Sequence, residues 1–318
     1  MVLAMSVLPS LETDGERWLD TGDVKMLDEA VFAEEMLSSY RRAIAAVTAA
    51  SDDIRAVALR LSAIWRAGGR LVYAGAGSSG LVAAEDAAEL PGTFGLDEGR
   101  IAIVLPGGTA EPFHIDGAAE DDSVAGERAI AELGDLTRDA LIAVSASGST
   151  PFTVTAAAEA HRRGAFVVGI AHRPGSPLLV GADAPILLES GAEALGGSTR
   201  LAAGVAQKAA LGMLSSLIGF QLGHIHQGLM VNLKADNAKL RERARGIVAT
   251  IAGVGKSEAE AALREAGGEV KPAILIARGV VSIGEAVTLL AAAEGRIADT
   301  LCSAAVNKIT GEGPNKGG

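Results

Sequence analysis

Five short, uninterrupted apolar runs, separated by helical or glycine-rich stretches, do most to limit what this chain can become. They are Arg70–Ala74, Ile101–Leu105, Leu141–Ser145, Phe166–Ile170 and Ile186–Leu188. A strand with one face in water alternates polar and apolar residues, whereas a continuous apolar run is a strand buried on both faces. Such strands alternating with helices predict an α/β fold: a five-stranded parallel sheet in a three-layer α/β/α sandwich. With 318 residues, 49% of them hydrophobic, the chain has material for that core and for an appendage.

Helical spacing brackets the sheet. After Ser51-Asp-Asp, with Ser51 as the expected N-cap, Ile54, Val57, Ala58, Leu61, Ile64 and Trp65 share one helical face, and Gly68-Gly69 ends the helix. A long Ala- and Gly-rich helical stretch is expected from Thr199 to about Gln227, packed against another helix or a second subunit. Its most apolar part, Ala209–Gly223, falls short of the roughly 18 residues a membrane span needs and is expected to be a core helix. The expected division is an N-terminal helical segment at 1–50, the α/β domain at 51–250 and a small three-helix subdomain at 251–305, with a frayed tail at 306–318. Gly267-Gly268, Gly279 and Gly295 break the subdomain's helices, and Pro272 marks a helix start.

Charge and cysteine usage narrow the function. The formal net charge is −11, so the long-range field repels polyanions and argues against a nucleic-acid partner. Any anionic ligand must be caught by local donors. The single cysteine, Cys302, excludes an internal disulfide framework and fits a reducing compartment. The opening Met1-Val-Leu-Ala-Met-Ser-Val-Leu-Pro9 has no basic flank and too short an apolar stretch for a signal peptide, so the expected location is the cytoplasm.

Two turns carry the expected chemistry. Gly75-Ala-Gly-Ser-Ser-Gly80 follows the first strand and matches G-x-G-x-x-G, but the second strand closes with Leu105-Pro-Gly-Gly108 and offers no acid for a ribose. A dinucleotide is therefore not expected. What Gly77, Ser78 and Ser79 offer is backbone N–H groups and two hydroxyls at a helix N-terminus, where an anion or a sugar hydroxyl is favoured. The second turn, Ser145-Ala-Ser-Gly-Ser-Thr150-Pro151, sets hydroxyls at Ser147, Ser149 and Thr150 around Gly148, a cradle suited to a phosphomonoester. Gly253-Val-Gly-Lys-Ser257 resembles the end of a P-loop, but Thr250 stands where the first glycine belongs.

Among the acids, Glu89 lies where the chain is expected to leave a helix near Pro91. On spacing alone Glu120, in the run Asp116–Asp122, reads as a solvated helix face, as do Glu85 and Asp86. The histidines at 114, 161, 172, 224 and 226 have no ligand spacing, with His224 and His226 on different sides of the expected helix, so no metal is predicted.

These segments resemble the N-acetylmuramic acid 6-phosphate etherases, a family built on the sugar isomerase (SIS) domain. The matching stretches are Gly69–Gly80, Glu89–Gly95, Ala118–Asp121, Ala146–Pro151, Gly197–Arg200, Gly204–Lys208, Leu229–Val231 and Asn237–Leu240. The resemblance implies a single flavodoxin-like SIS domain, a homodimer with sites near the subunit interface, a sugar-phosphate ligand and no cofactor. It implies cleavage of the lactyl ether at C3 by elimination and water addition, giving N-acetylglucosamine 6-phosphate and D-lactate. It places the acid at Glu89 and the base at Glu120, and adds Glu193, Ser198, Arg200 and Lys208 to the binding candidates Gly77, Ser78, Ser79, Ser147, Gly148, Ser149 and Thr150.

Three positions depart from the family pattern. Leu81, Ser149 and Ala202 stand where it usually has Arg, Arg and Lys, and Thr13–Arg17 departs from its usual opening. Each lost charge-assisted bond is worth roughly 1.5–3 kcal/mol, which Arg200 and Lys208 would have to replace. An aldose–ketose isomerase on the same fold and a non-catalytic sugar-phosphate sensor are the competing readings. Retention of both glutamates argues against the sensor.

Overall fold

The computed structural model describes residues 28–109 and 117–303. The expectations for Met1–Pro9, Thr13–Arg17, His114, Asp116 and the tail at 306–318 lie outside the described residues. The elements run α1 (Glu29–Ala49), α2 (Ser51–Arg66), β1 (Leu71–Gly75), α3 (Gly77–Phe94), β2 (Ile101–Val104), α4 (Gly117–Glu120), α5 (Ser123–Ala131), β3 (Ala140–Val144), α6 (Pro151–Arg162), β4 (Phe166–Ala171), α7 (Pro177–Val180), β5 (Ala184–Leu187) and α8 (Ala202–Gln221). A two-stranded ribbon, β6 (Ile225–His226) and β7 (Leu229–Met230), leads into α9 (Ala238–Ala252), α10 (Lys256–Glu265), α11 (Val270–Ala277), α12 (Ile283–Ala292) and α13 (Ile297–Cys302).

β1 to β5 form a parallel sheet in the order β2-β1-β3-β4-β5. β1 and β3 are buried throughout, as the continuous apolar runs require. Their side chains alternate between two cores. Leu71, Tyr73, Ile142 and Val144 pack with α1, α2, α3 and α8, while Val72, Ala74, Leu141 and Ala143 pack with α5, α6 and α7. The strand order reverses between β1 and β3, and in open parallel sheets the ligand crevice lies beyond the carboxyl ends of the strands at such a reversal. Both Ser-rich turns leave the sheet there.

Several local expectations are corrected. Ser51 is the first residue of α2 and not its cap, because Ala50 occupies the cap position. α3 does not end near Pro91 but carries it inside and stops at Gly95, whose φ of +62° forms a left-handed C-cap. The stretch from Thr199 to Gln227 is not one helix: Gly223 has a φ of +70°, and His224 and His226 lie in the segment beyond it that forms the ribbon. α8 has the length and apolar character of a membrane span, yet more than half of it is buried in protein.

The C-terminal helices hold a core of their own, with Val231, Leu233, Ile247, Val248, Ile274, Leu275 and Ile297 among its members. Among the described residues four helices, not three, follow residue 255, and α9 joins their core although it begins before residue 251. This unit is tied to the end of α3. Asn232 Nδ2 donates to Phe94 O at 2.8 Å, His224 Nδ1 lies 2.6 Å from the same oxygen, and Lys234 N–H donates to Gly92 O at 3.1 Å.

Candidate functional site

The first turn is shaped by glycines that permit close approach. A Cβ on Gly75 would lie 2.9 Å from Gly80 Cα, and one on Gly80 would lie 2.8 Å from Gly75 O, so β1 and the first turn of α3 touch backbone to backbone. That contact leaves the N–H groups of Gly77, Ser78 and Ser79 at the open end of an 18-residue helix, without intrahelical acceptors. Ser79 is buried and Ser78 half-buried.

Glu120 belongs to the same place. Gly77 has a φ of +54°, and a Cβ built on it would stand 2.5 Å from Glu120 Oε1. Only glycine leaves space for the carboxylate against the mouth of α3. Glu120 is half-buried, and desolvation, reinforced by the neighbouring charge of Asp121, raises its pKa above the ordinary glutamate value. The acidic run reads from sequence as a solvated face. Contact with Gly77 separates Glu120 from that reading, and no spacing along the chain reports it.

The second turn is organised by its own hydroxyls. Ser145 Oγ lies 2.9 Å from Thr150 Oγ1 and accepts from Gly148 N–H at 3.1 Å; Ser147 Oγ accepts from Ser149 N–H at 3.2 Å and from Ser149 Oγ–H at 3.1 Å. Ser145 was not among the expected site residues, yet it holds the turn; its signal was the Ser-x-Ser-x-Ser-Thr spacing. Gly148, with a φ of +66°, is wedged in place, since an added Cβ would lie 2.2 Å from Ser176 Oγ and 2.9 Å from Ala171 Cβ. Pro151 opens α6 directly behind Thr150, so an anion at the turn also meets a helix N-terminus.

The remaining candidates scatter. Glu193 is buried and accepts from Ala202 N–H at 2.7 Å and Ala203 N–H at 2.9 Å, so its carboxylate caps the start of α8. Ala202, where the family pattern has Lys, is fully buried at that cap. Ser198 is half-buried and Arg200 exposed in the preceding turn, while Lys208 forms an ion pair with Glu85 at 3.1 Å. Leu81 is half-buried one turn into α3. Asp86, expected at the surface, is instead buried, accepting from Tyr73 O–H at 3.2 Å and Ser215 Oγ–H at 2.9 Å, and burial pushes its carboxyl up to about 6.

Glu89 is exposed on α3, and its Oε2 lies 3.5 Å from Thr93 Oγ1, one turn further from Gly77. Twelve residues separate it from Gly77, about 18 Å along the helix axis. A cavity of about 690 Å³ lies between the end of α3 and the C-terminal helices, with Lys271 and Gly95 in its wall, and a second of about 410 Å³ lies beside it. None of the candidate residues lines either one. Among the described residues no group of three or more His, Cys, Asp or Glu is disposed to hold a metal ion.

The SIS domain family profile matches residues 35–172. The N-acetylmuramic acid 6-phosphate etherases of Deinococcus radiodurans and Rubrobacter xylanophilus are each 41% identical to this chain, over 272 and 283 residues; the alignments cover 86% and 88% of this chain and 88% and 90% of those relatives. The etherase of Streptomyces avermitilis is 40% identical over 260 residues, covering 82% of this chain and 84% of its own.

Proposed function

Because the chain belongs to the N-acetylmuramic acid 6-phosphate etherase family, we propose that it cleaves the lactyl ether of N-acetylmuramic acid 6-phosphate, yielding N-acetylglucosamine 6-phosphate and D-lactate. It does so as a cytoplasmic homodimer without a cofactor, in the recycling of peptidoglycan amino sugars. The observation that carries this reading is the Glu120 carboxylate against Gly77, beside a hydroxyl-lined turn at the reversal of strand order.

The chemistry follows from what each group can do. In the open-chain sugar the C1 aldehyde acidifies the C2 proton. Glu120, whose basicity is raised by burial, takes that proton. The C3–O bond then breaks, its electron pair leaving with the lactyl oxygen, and Glu89 supplies the proton that makes lactate a competent leaving group. Water adds to the resulting double bond at C3. Ser147, Ser149 and Thr150 hold the 6-phosphate with the N-terminus of α6, and the open amides of Gly77, Ser78 and Ser79 receive the sugar's oxygens near Glu120.

A second reading has specific support. Leu81, Ser149 and Ala202 are neutral where the family pattern is cationic, and Lys208 is engaged with Glu85. Those changes favour a sugar phosphate lacking the lactyl carboxylate, on which the same base would act as an isomerase at C2. Incubation with N-acetylmuramic acid 6-phosphate and assay of D-lactate decides between them. Release of lactate at a turnover typical of enzymes supports the etherase, whereas exchange at C2 of 6-phosphosugars without lactate release supports the isomerase.

A further inference from the structure

The cavity of about 690 Å³ between the end of α3 and the C-terminal helices has the volume of a small-molecule site, and no residue of either Ser-rich turn lines it. Its wall holds a buried cation. Lys271, the second residue of α11, is only 6% exposed, and its Nζ donates to Gly295 O at 2.7 Å. That bond uses one of three ammonium protons. The lysine ion pairs among the described residues are those of Lys208 and Lys256, so no carboxylate neutralises Lys271. Burial lowers its pKa to about 8, which leaves it charged at neutral pH. A buried ammonium without a counter-charge is costly, and an anion beside it relieves that cost.

The backbone adds donors to the same wall. The first two N–H groups of the eight-residue α11, on Val270 and Lys271, have no intrahelical acceptor, and the N-cap residue Glu269 makes no side-chain bond to them. Pro272, next in line, has no N–H to satisfy. Val270 and Lys271 both line the cavity, so the positive end of the α11 dipole borders it too. The carboxylates in the wall, Asp236 and Glu269, are exposed. His224 nearby stays neutral, because burial and the charge of Lys271 hold its pKa down at about 4. Nor do the wall's own atoms fill the space beside Gly267 and Gly268, where an added Cβ would meet nothing within 4 Å.

We infer that this cavity is a binding site for a small organic oxyanion, whose phosphate or carboxylate group sits on the Lys271 ammonium and the first amides of α11. Exposed Asp236 and Glu269 at the rim accept from hydroxyls on the body of the ligand. The wall reaches α3 through Gly95, which directly follows that helix, and through Asn232, whose Nδ2 donates to Phe94 O at 2.8 Å. An occupant therefore bridges the helix that carries Glu89 to the C-terminal unit.

Equilibrium dialysis with radiolabelled inorganic phosphate tests this on the full chain, with Ser147→Ala and Thr150→Ala together disabling the second Ser-rich turn. In that parent, phosphate should bind with a Kd on the order of 1 mM. Adding Lys271→Met, which keeps the length and apolar stem of the side chain, should weaken that binding by about 10–100-fold, the value of a charge-assisted bond. Urea unfolding checks that this variant keeps the fold. Where it does not, Val287→Glu decides in its place: position 287 is an exposed part of the wall, and a carboxylate there should repel the anion by at least about 10-fold.

Labelled acetate separates the two sources of oxyanion. Phosphate binding that is lost on substitution assigns the site to a phosphomonoester, and acetate binding lost in the same way, without phosphate binding, assigns it to a carboxylate. Equal binding by the parent and the folded variant overturns the inference, as does failure of the parent to bind either anion at about 50 mM.

Discussion

The turns that follow β1 and β3 use the same residue types, yet their hydrogen-bonding capacity goes to different places. In the second turn, Ser145 and Ser147 spend oxygen lone pairs on the amides of Gly148 and Ser149, and Gly148 is locked against Ser176 and Ala171. In the first, backbone contact between Gly75 and Gly80 holds the shape, and the three amides at the mouth of α3 have no intrahelical acceptor. The second turn is a preformed cradle whose hydroxyls brace its own backbone. The first is a mouth at which Gly77 faces a carboxylate, Glu120. The two turns thus sit on opposite sides of the point where strand order reverses.

The largest effects should come from the glutamates, because general acid and base groups contribute about 10²–10⁴-fold each. Glu120→Gln should abolish both deuterium exchange at C2 and lactate release, since no carbanion forms. Glu89→Gln should retain some C2 exchange while blocking release, because the carbanion forms and is reprotonated. Lactate release at the wild-type rate in both variants would remove chemistry from the first turn altogether.

The glycines come next, and they should fail in opposite ways. At Gly77, whose φ of +54° costs an alanine roughly 1–2 kcal/mol of strain, the methyl meets only the movable end of Glu120, so Gly77→Ala should fold with that modest loss and lose activity by roughly 100-fold, the usual scale for a catalytic group displaced by about 1 Å. At Gly148 the methyl meets packed neighbours, and strain in the left-handed region adds to overpacking. Gly148→Ala should cost roughly 2–5 kcal/mol of stability, read as a lowered urea midpoint. Because the left-handed strain is common to both, a Gly148→Ala loss no larger than that of Gly77→Ala would erase the distinction between mouth and cradle.

How much of this was legible in the sequence depends on how far apart the interacting residues are. β1, β3 and their turns were readable because an uninterrupted apolar run followed by Gly and Ser is a local signal. Glu120 was not readable from spacing: its placement depends on Gly77, 43 positions earlier in the sequence, and the resemblance to the etherases alone singled it out. Asp86 was misread as a surface acid, because its partners Tyr73 and Ser215 reach it from β1 and α8. Helix ends failed for local reasons. Pro91 lies late in α3, where the chain tolerates it, and the apolar pattern continues past Gly223 although the helix does not.

The cradle's hydroxyls give a smaller effect than its glycine. Ser147→Ala and Thr150→Ala should each weaken affinity for a 6-phosphosugar by roughly 1–3 kcal/mol, the range for a buried hydrogen bond to a charged group. Ser147→Ala should also lower stability, because Ser147 supports Ser149 N–H, whereas Thr150→Ala frees only a hydroxyl contact with Ser145. Calorimetry with N-acetylglucosamine 6-phosphate separates these. Unchanged affinity in both variants would take the phosphate away from this turn.

The smallest effect concerns α3 itself, the helix that carries the mouth at its start and Glu89 near its end. Asp86 is held up at about 6 by burial, against the hydrogen bonds from Ser215 and Tyr73 that favour its charged form, whereas an aspartate in an unfolded chain titrates near 3.9. Between those values the folded protein binds more protons than the unfolded one, so the stability linked to Asp86 is present below about pH 4 and is lost as pH rises through about 6. His172 and His224 act in the opposite sense. Burial pushes both down to about 4, and their contribution grows as pH rises from there to about 6.5. In the wild type the Asp86 slope offsets part of the histidine slope. Asp86→Asn removes it, so urea unfolding of that variant should show stability climbing more steeply between about pH 4.5 and 5.5, by about 1 kcal/mol per pH unit. Parallel slopes in the two proteins would mean that Tyr73 and Ser215 keep Asp86 charged in the interior, leaving α3 clamped by an ionised carboxylate at every pH where the fold survives.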